Sequence, residues 1–310
     1  MIIFEEPERF TQFEQSCVAT IGKFDGVHLG HQLILDQLKQ KADELEQPSL
    51  VILIEPHPEE FFAANSGKCP ARLTTLKEKL ELLDSFGIEY VFKLNFNQAM
   101  SELSAERYIE EILVNGLGIK AFIVGNDFRF GHQRRGDFEM LTKSGEDYEF
   151  EVLETMAYEY NGQRISSTYI REQLALGKFD LVEQLLGRPF TMKGEVVKGK
   201  QIGSDLGFPT CNINPHRQQI PIHGVYACEV RLVDQYRPAA VNIGYRPTIS
   251  EDGEALLEAH ILDFDDNLYG KTIEVIFRQK LREEIKFDGL EALKQQISAD
   301  VRQVRELLAS

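Results

Sequence analysis

Residues 22–31 read GKFDGVHLGH and place His28 and His31 around a glycine. Before them, residues 18–21 form a short β-prone run, VATI, that stops at the first glycine. After them, apolar residues recur at three- and four-residue spacing, which predicts an amphipathic helix over residues 31–46. The two histidines are therefore expected where a strand turns into a helix, at the N-terminal end of that helix.

The N-terminal end of a helix suits a phosphate group, because unpaired backbone N–H groups and a partial positive charge lie there. Gly26 and Gly30 let the backbone approach a ligand closely, and two imidazoles add donors for the charge that develops on a phosphorus centre. Two histidines near a glycine can also do no more than satisfy a turn, and HxxH spacing alone favours this simpler interpretation. The surrounding sequence decides between the two.

Length and composition predict a soluble protein of two domains. The 310 residues exceed what one hydrophobic core usually serves, and 43% of them are hydrophobic, which is enough to form real cores. The formal net charge of −16 argues against a protein that binds the negatively charged backbone of a nucleic acid. No membrane partner is expected, because no apolar run approaches the ~20 residues that span a bilayer.

The N-terminal residues and the cysteines predict a cytoplasmic location. The acidic start MIIFEEPERF lacks the positive region and apolar segment of a signal peptide. The four cysteines, at positions 17, 69, 211 and 228, are far apart and form no CxxC pair, so neither zinc nor a disulfide framework is indicated. The sequence leaves the oligomeric state open between a monomer and a weak homo-oligomer.

Strands and helices alternate over about residues 18–183, which predicts a Rossmann-like, doubly wound α/β domain. Ligands of such folds bind at the carboxyl ends of the strands, where the GKFDGVHLGH loop is expected. The expected strands are residues 49–56, 90–96 and 120–125, and the expected helices are residues 74–87, which open with Thr75 and Glu78 at capping-box spacing, and 104–118.

Three further segments fall at predicted strand ends or helix starts: residues 55–58 (EPHP), 125–131 (GNDFRFG) and 164–171 (RISSTYIR). The Ser-Ser-Thr triplet of the last segment either caps a helix, which is the usual role of such residues, or holds a phosphate together with Arg164 and Arg171. The residues alone leave both roles open.

A second domain is expected after a change of pattern at residues 185–190 (LLGRPF), which gives predicted domains of residues 1–184 and 185–310. Beyond this point, β-prone runs with turn signals recur at fairly regular intervals and predict a small antiparallel β-barrel. Residues 289–308 have helical spacing and predict a C-terminal helix that packs on the barrel. The apolar positions of this helix are Leu290, Leu293, Ile297, Val301 and Val304.

The pattern GxFDGVHxGH resembles the HxGH nucleotidyltransferase superfamily, and GKFDG is similar to its flavin branch, the prokaryotic bifunctional riboflavin kinase and FMN adenylyltransferase. In the second half, LGFPTCN (residues 206–212) resembles the family motif LGFPTAN, with Cys211 as a small apolar replacement for alanine. Residues 257–270 (LEAHILDFDDNLYG) and 281–293 (LREEIKFDGLEAL) also resemble the family. The resemblance covers nearly the full chain in family order.

The resemblance implies that the first domain makes FAD, by attack of the FMN phosphate on the α-phosphorus of ATP with release of pyrophosphate. His28 and His31 would stabilise the transition state, and Asp127, where some relatives have asparagine, would lie near the adenosine. The other implied ATP-binding residues are Gly22, Phe24, Asp25 and Gly26 around the histidines, and Arg164, Ser167 and Thr168 near the phosphates. Phe128 and Phe130 are better explained as packing residues than as partners of the flavin ring.

The resemblance implies that the second domain phosphorylates riboflavin to FMN. Thr210 and Asn212 would offer oxygens to Mg²⁺, and Glu258 would accept the proton of the 5′-hydroxyl as it attacks the γ-phosphorus of ATP. ATP or flavin contacts are implied for Gly199, Gly203, Gly207, Phe208, Pro209, Thr210, Asn212, Glu284, Lys286 and Phe287. The acidic run at residues 263–266 lacks the spacing of a calcium loop and predicts a polar turn.

One departure from the family is Ser204, which stands where relatives commonly have an arginine; Lys198 or Lys200 would then supply the lost cation. A second enzymatic interpretation gives the first domain another acceptor, such as pantetheine phosphate or nicotinamide mononucleotide. A third makes the second domain a flavin-binding or regulatory module without kinase chemistry. The PTCN tetrad and Glu258 favour an enzyme with both activities.

Overall fold

The computed structural model describes residues 1–5, 16–63, 69–155, 158–199, 207–217, 219–233, 235–246 and 254–308. The chain divides into two compact units. The first unit comprises Met1–Pro70 and Lys79–Ser166, and the second comprises Ala71–Glu78 and Ser167–Ser310. Within the described ranges, no helix is long and apolar enough to cross a membrane.

The first unit is built on a sheet of six parallel strands in the order β1-β4-β3-β2-β5-β6. The strands are β1 (Ile2–Phe4), β2 (Cys17–Gly22), β3 (Ser49–Glu55), β4 (Tyr90–Asn95), β5 (Ile119–Gly125) and β6 (Glu151–Thr155). The first five residues of β3 are buried, as expected for a parallel strand that is covered on both faces. This sheet confirms the predicted doubly wound α/β fold and adds two strands, β1 and β6, that the sequence did not predict.

Most of the predicted helices are present. Those before Ser166 are α1 (Leu29–Glu44), α2 (Pro58–Ala63), α3 (Leu76–Ser85), α4 (Gln98–Glu102), α5 (Ala105–Arg107), a π-helix (Tyr108–Val114), a 3₁₀ turn (His132–Arg134) and α6 (Phe138–Tyr148). The predicted capping box starts α3, since the N–H of Thr75 donates to Glu78 over 2.7 Å and the N–H of Glu78 donates to Thr75 Oγ1 over 3.2 Å. The single α-helix expected over residues 104–118 is instead a short α-turn followed by the π-helix, whose wider turns bury four residues.

A hairpin and two helices follow the sheet along the chain. They are β7 (Glu159–Tyr160), β8 (Gln163–Arg164), α7 (Ser167–Ala175) and α8 (Phe179–Leu186). The hairpin turns at Asn161 and Gly162, both with positive φ (51° and 77°), which matches the right-handed twist of paired strands. α8 ends at Gly187, which has a φ of 70°, the left-handed conformation that glycine adopts without strain.

The second unit contains the predicted antiparallel barrel, closed by six strands in the order β10-β13-β12-β11-β14-β9. The strands are β9 (Thr191–Val197), β10 (Cys211–Asn214), β11 (Gly224–Leu232), β12 (Gln235–Arg246), β13 (Glu254–Ile261) and β14 (Thr272–Arg282). Alternate residues of each strand face inward, and the interior includes the fully buried Met192, Ile213, Cys228, Val241, Leu257 and Val275. The alternate set faces outward, and Glu258 belongs to it.

The predicted C-terminal helix, α9 (Leu290–Leu308), packs on the outside of this barrel. Its apolar contacts are made by Val301, Val304 and Leu308, which lie against Ala227, Ala240 and Leu262. Leu290 was expected on the packed face, but 62% of it is exposed because it is the first residue of the helix and lies outside this apolar cluster. Asp263, in the predicted polar turn, forms an ion pair of 2.6 Å with Arg305.

Glu78 explains why residues 71–78 belong to the second unit. Its Oε1 accepts the backbone N–H of Lys193 over 2.9 Å, and its Oε2 accepts from Nη2 of Arg217 over 2.5 Å. Both side chains of this ion pair are buried, with 8% and 2% of their surface exposed. A buried pair of this kind is costly to break, because either partner alone would leave an uncompensated charge.

Candidate active sites

The first candidate site lies at the carboxyl ends of β2 and β5, which are neighbours in the sheet. The chain moves outward from β2 through β3 to β4 on one side and from β5 to β6 on the other. The order therefore reverses between β2 and β5, and open α/β sheets bind ligands at such a switch point. The loop after β2 ends at His28, His31 lies in the first turn of the helix that follows, and the loop after β5 carries Asp127.

The loop after β2 is buried and has an unusual backbone. Phe24 and Val27 adopt positive φ values of 46° and 39°, beside Gly26 at 84°. Non-glycine residues pay a steric cost in this region, and such strain persists mainly at functional sites. The ring of Phe24 also explains Gly22, because a Cβ on that glycine would lie 3.1 Å from the ring.

His28 is the N-cap of α1 and orients the second histidine. Its Nδ1 accepts the backbone N–H of His31 at 3.3 Å, and the two rings stack with centroids 3.7 Å apart. Because Nδ1 of His28 is an acceptor, the ring proton belongs on Nε2. Gly30 leaves room for this ring, since a Cβ there would lie 3.2 Å from the His28 ring and would make that ring shift slightly.

His31 is a neutral donor of the same kind. Burial above all, together with the positive charges of Lys79 and Lys23, holds its pKa well below the ordinary value of a histidine. Its Nδ1 is buried and has no hydrogen-bond partner among the described residues, so a proton at that atom would be left unsatisfied. The proton of the neutral ring therefore belongs on Nε2, and both histidines can donate through that atom.

The pH dependence of stability tests the state of His31. Because the folded protein resists protonation of this ring and the unfolded chain does not, stability is lost as the pH falls below 6.5, by at most about 1.4 kcal/mol per pH unit. Between pH 7 and pH 5 we therefore expect a smaller fall in Tm for His31→Gln than for the wild-type protein, measured by circular dichroism. Equal falls in the two proteins would contradict a neutral His31.

Lys79 is a buried cation in this unit that the sequence analysis missed. Its Nζ lies 3.2 Å from Nε2 of His57 and 3.7 Å from Oε2 of Glu55, at the end of β3. No part of the Lys79 side chain is exposed. A signal was present, because Lys79 shares one helical face with Leu76 and the fully buried Leu83 at three- and four-residue spacing.

Asp127 and Arg164, both expected at the ATP, are brought together by the structure. Nη1 of Arg164 donates to Oδ2 of Asp127 over 2.8 Å, and both side chains are more than half exposed. The Arg164 guanidinium holds the pKa of the Asp127 carboxyl below its ordinary value. An exposed pair of this kind contributes little to stability, so Arg164 can exchange its partner for a phosphate at small cost.

Two sets of aromatic residues lie near the carboxyl edge of the sheet. Phe128 and Phe130 stack with centroids 5.5 Å apart and pack in the hydrophobic core, which agrees with the packing role predicted for them. Phe61, Phe62 and Phe96 instead form an edge-to-face cluster after β3 and β4, with centroids 5.2 to 5.9 Å apart. Phe62 is 54% exposed, so this cluster presents an apolar surface.

Ser167 and Thr168 are the first two residues of α7 and belong to the second unit. The Ser-Ser-Thr triplet therefore does begin a helix, as the capping interpretation requires. Their contact with ATP phosphates stays a prediction.

The second candidate site lies on the outer face of the barrel. Asn212 on β10, Glu258 on β13 and Asn242 on β12 are directly paired across neighbouring strands. Directly paired residues of antiparallel strands point to the same face, with Cβ atoms about 4.5–5.5 Å apart. Glu258 thus stands between two carboxamides, of which the sequence analysis identified only Asn212.

The residues before β10 form the edge of this second site. Phe208 packs edge-to-face on His260 with centroids 5.5 Å apart, and the carbonyl oxygen of Pro209 lies 2.8 Å from Nδ1 of that histidine. Thr210 follows directly and precedes β10, so its position is fixed from both sides. Gly207 has a φ of 86°, which favours glycine, whereas Gly203 and Ser204 lie outside the described residues.

Cys211, which replaces the usual alanine, does not leave a buried polar group without a partner. Its Sγ lies 3.5 Å from the carbonyl oxygen of Ala259 on the paired strand. Burial raises the pKa of its thiol to about 11, so the side chain is neutral. The replacement is therefore tolerated as a small, weakly polar group, as its chemistry predicts.

Gly199 is needed because Asn212 fills the space beside it. A Cβ on Gly199 would lie within 1.9 Å of Nδ2 of Asn212. We expect Gly199→Ala to displace this carboxamide and lower the rate of the barrel's reaction at least about tenfold. Gly289→Ala is the matched control, since a Cβ there meets nothing within 4 Å. Unchanged FMN formation from riboflavin by Gly199→Ala would contradict a role for Asn212.

The segment after β14 contacts the same face of the barrel. Nδ2 of Asn242 donates to Oε1 of Glu284 over 3.4 Å, and the guanidinium of Arg282 lies 5.8 Å from the ring centroid of Phe287. Lys286 lies between Glu284 and Phe287 in the sequence, and its side chain is exposed. No group of three His, Cys, Asp or Glu able to hold a metal ion occurs in the described part of the chain.

Two family models match the chain, FAD synthetase over residues 10–169 and riboflavin kinase over residues 186–308. The domain boundary expected after residue 184 stays a prediction. A crystal structure described as a macrolide-efflux protein from Streptococcus pneumoniae is 26% identical, covers 98% of both chains and has a TM-score of 0.80.

Curated relatives named bifunctional riboflavin kinase/FMN adenylyltransferase match along almost the whole chain. The protein from Pseudomonas fluorescens is 46% identical, covering 95% of this chain and 94% of the relative. Those from Escherichia coli K12 and Haemophilus influenzae are 44% and 43% identical; the matches cover 94% and 96% of this chain, and 93% and 96% of the relatives. The chain therefore belongs to the bifunctional riboflavin kinase/FMN adenylyltransferase family.

Proposed function

We propose that the chain carries out both reactions for which its relatives are named, in two separate sites. The barrel phosphorylates riboflavin to FMN, and the parallel-sheet unit adenylylates FMN to FAD. The observation that carries the proposal is that each unit assembles its own set of reactive groups, the two Nε2–H histidines in the first and the paired Asn212 and Glu258 in the second.

In the adenylylation, an oxygen of the FMN phosphate attacks the α-phosphorus of ATP in line with the bond to the β-phosphate. That bond breaks and pyrophosphate leaves, so no protein nucleophile is needed. His28 and His31 donate Nε2–H groups to the oxygens that gain charge, and the start of α1 adds its partial positive charge. Arg164 leaves Asp127 to pair with a phosphate.

The flavin of FMN has a surface to bind in the same unit. The cluster of Phe61, Phe62 and Phe96 lies at the carboxyl edge of the sheet, where substrates of this fold bind. We infer that the isoalloxazine ring stacks there, because a flat aromatic ring and an exposed phenylalanine gain from offset or edge contact.

In the phosphorylation, Glu258 accepts the proton of the riboflavin 5′-hydroxyl while its oxygen attacks the γ-phosphorus of ATP, and ADP leaves. Thr210 and Asn212 would hold Mg²⁺. Hydroxyl and carboxamide oxygens are hard ligands that suit this ion, and Asn212 is buried against Gly199 in a space that a Cβ would fill. When bound, the ion would neutralise charge on the ATP phosphates.

A cytoplasmic location belongs to the same proposal, because both reactions consume ATP and all four cysteines are free thiols, as in a reducing compartment. We also propose a monomer or weak homo-oligomer. Its test is to incubate the protein with riboflavin, ATP and MgCl₂ and to separate the flavins by chromatography. We expect FMN and then FAD. FMN as the only product would contradict the adenylyltransferase activity, and pantetheine phosphate and nicotinamide mononucleotide would then be tested as acceptors. Absence of any flavin product would contradict both activities.

A further inference from the structure

A row of outward-facing residues crosses the barrel through Glu258. Asn212, Glu258, Asn242 and Val225 are direct partners on four consecutive strands of the barrel. Within this row, a carboxamide flanks the Glu258 carboxylate from each side. Asn212 already has a role in the proposed function, whereas Asn242 has none.

Asn242 also touches a second carboxylate. Its Nδ2 donates to Oε1 of Glu284 over 3.4 Å, near the upper limit for a hydrogen bond. The same oxygen would lie 3.0 Å from a Cβ on Gly244, so Glu284 rests on the surface of β12.

The chain that carries Glu284 is anchored close by. Its start is Arg282, whose Nε donates to Oδ1 of Asp300 over 3.1 Å and whose Nη2 donates to Oδ2 over 2.8 Å. Asp300 is itself buried in α9, so this anchor is rigid. Glu284 is therefore held beside Asn242 by a fixed part of the barrel.

These contacts place one amide between two carboxylates. Glu258 is exposed and makes no hydrogen bond to another residue that the structure describes, and its direct partner Asn242 on β12 carries N–H groups that could orient it. A carboxamide has two N–H groups and can serve two acceptors at once. Without a donor between them, the two negatively charged carboxylates would repel each other, and the side chain of Glu258 would lose its fixed orientation.

We propose that Asn242 is a positioning residue of riboflavin phosphorylation, which keeps one N–H on Glu284 and turns the other to its strand partner Glu258 when substrate is bound, since catalytic hydrogen bonds often form only in the complex. It holds the carboxylate of Glu258 toward the riboflavin 5′-hydroxyl and keeps the two carboxylates apart. This inference rests on the role of Glu258 as base in the proposed function.

The test compares FMN formation by the wild-type protein, Asn242→Ala, Asn242→Asp and Glu258→Gln, with FAD formation from supplied FMN as the internal control. We expect both Asn242 variants to lower kcat for FMN formation at least tenfold, while KM for riboflavin changes less than threefold and FAD formation stays within twofold. Asn267→Ala is a matched control. It also removes one carboxamide side chain of the same unit, whose oxygen accepts a hydrogen bond from the N–H of Tyr269 in a turn. It should leave both parameters unchanged.

The outcomes separate two kinds of failure. A kcat within twofold of wild type for Asn242→Asp, which keeps the shape of the side chain, would overturn the inference even if Asn242→Ala failed to fold. A matching rise in KM with no fall in kcat would also overturn it, since that is the effect of lost binding rather than lost orientation. If Glu258→Gln itself keeps its kcat, the proposed base is wrong and the inference falls with it.

Discussion

His28→Ala is expected to lower the rate of FAD formation by about 100- to 1,000-fold, the usual cost of removing one donor to a charged transition state. Formation of FMN from riboflavin should stay within twofold of wild type, because His28 belongs to the first unit and the barrel reaction uses other residues. Steady-state assays with FMN and with riboflavin as the supplied flavin measure the two rates. Loss of both activities would contradict separate sites.

His28→Asn separates the two roles of this histidine. As the N-cap of α1, His28 accepts the N–H of His31, and loss of a cap costs about 1 kcal/mol. Asparagine is a good N-cap, so it should restore the Tm that alanine lowers. Its carboxamide is shorter than imidazole and does not reach the position of Nε2, so FAD formation should stay low. Recovery of FAD formation with Asn would show that capping is the only role of His28.

Glu258→Gln is expected to have the reciprocal effect. It should lower FMN formation by about 100- to 10,000-fold, the contribution of a positioned general base, and leave FAD formation from FMN unchanged. Stability should not change, because Glu258 faces outward on β13 and glutamine has the same shape. Glu274→Gln is the matched control on the barrel surface, where an ion pair of 3.5 Å to Arg231 and a longer-range attraction to Arg188 are lost. FMN formation at the wild-type rate by Glu258→Gln would contradict its role.

The fold could be predicted where local signals agree with tertiary structure. β3 is predicted by its nearly continuous apolar run and α3 by its capping box, and the structure contains both elements. β1 and β6 were missed because they are short strands at the two edges of the sheet and most of their residues are exposed or half-buried, so neither has the long apolar run that marks β3. The π-helix after Arg107 was also missed, since its hydrogen bonds span five residues instead of the four of an α-helix and the sequence does not mark that difference.

The functional residues of the two sites could be predicted only where they belong to a recognisable sequence motif. The histidine loop and the PTCN tetrad were identified in this way, whereas Lys79 and Asn242 were not. Each of these two lies in an ordinary helix or strand and is brought by the fold beside a residue that is distant in sequence: His57 for Lys79, and Glu258 on the paired strand for Asn242. Such pairings depend on strand register and helix packing, which no single segment encodes.

Separate sites for two successive reactions are tested most directly by mixing two variants that each lack one of the two activities. Glu258→Gln supplied with riboflavin, ATP and MgCl₂ should form no flavin product, and His28→Ala should accumulate FMN and stop there. When the two proteins are combined, FMN released by His28→Ala should be converted to FAD by Glu258→Gln, and FAD should appear after a lag. Failure of the mixture to make FAD, while each variant still performs its remaining reaction with supplied substrate, would contradict two independently working sites joined by free FMN.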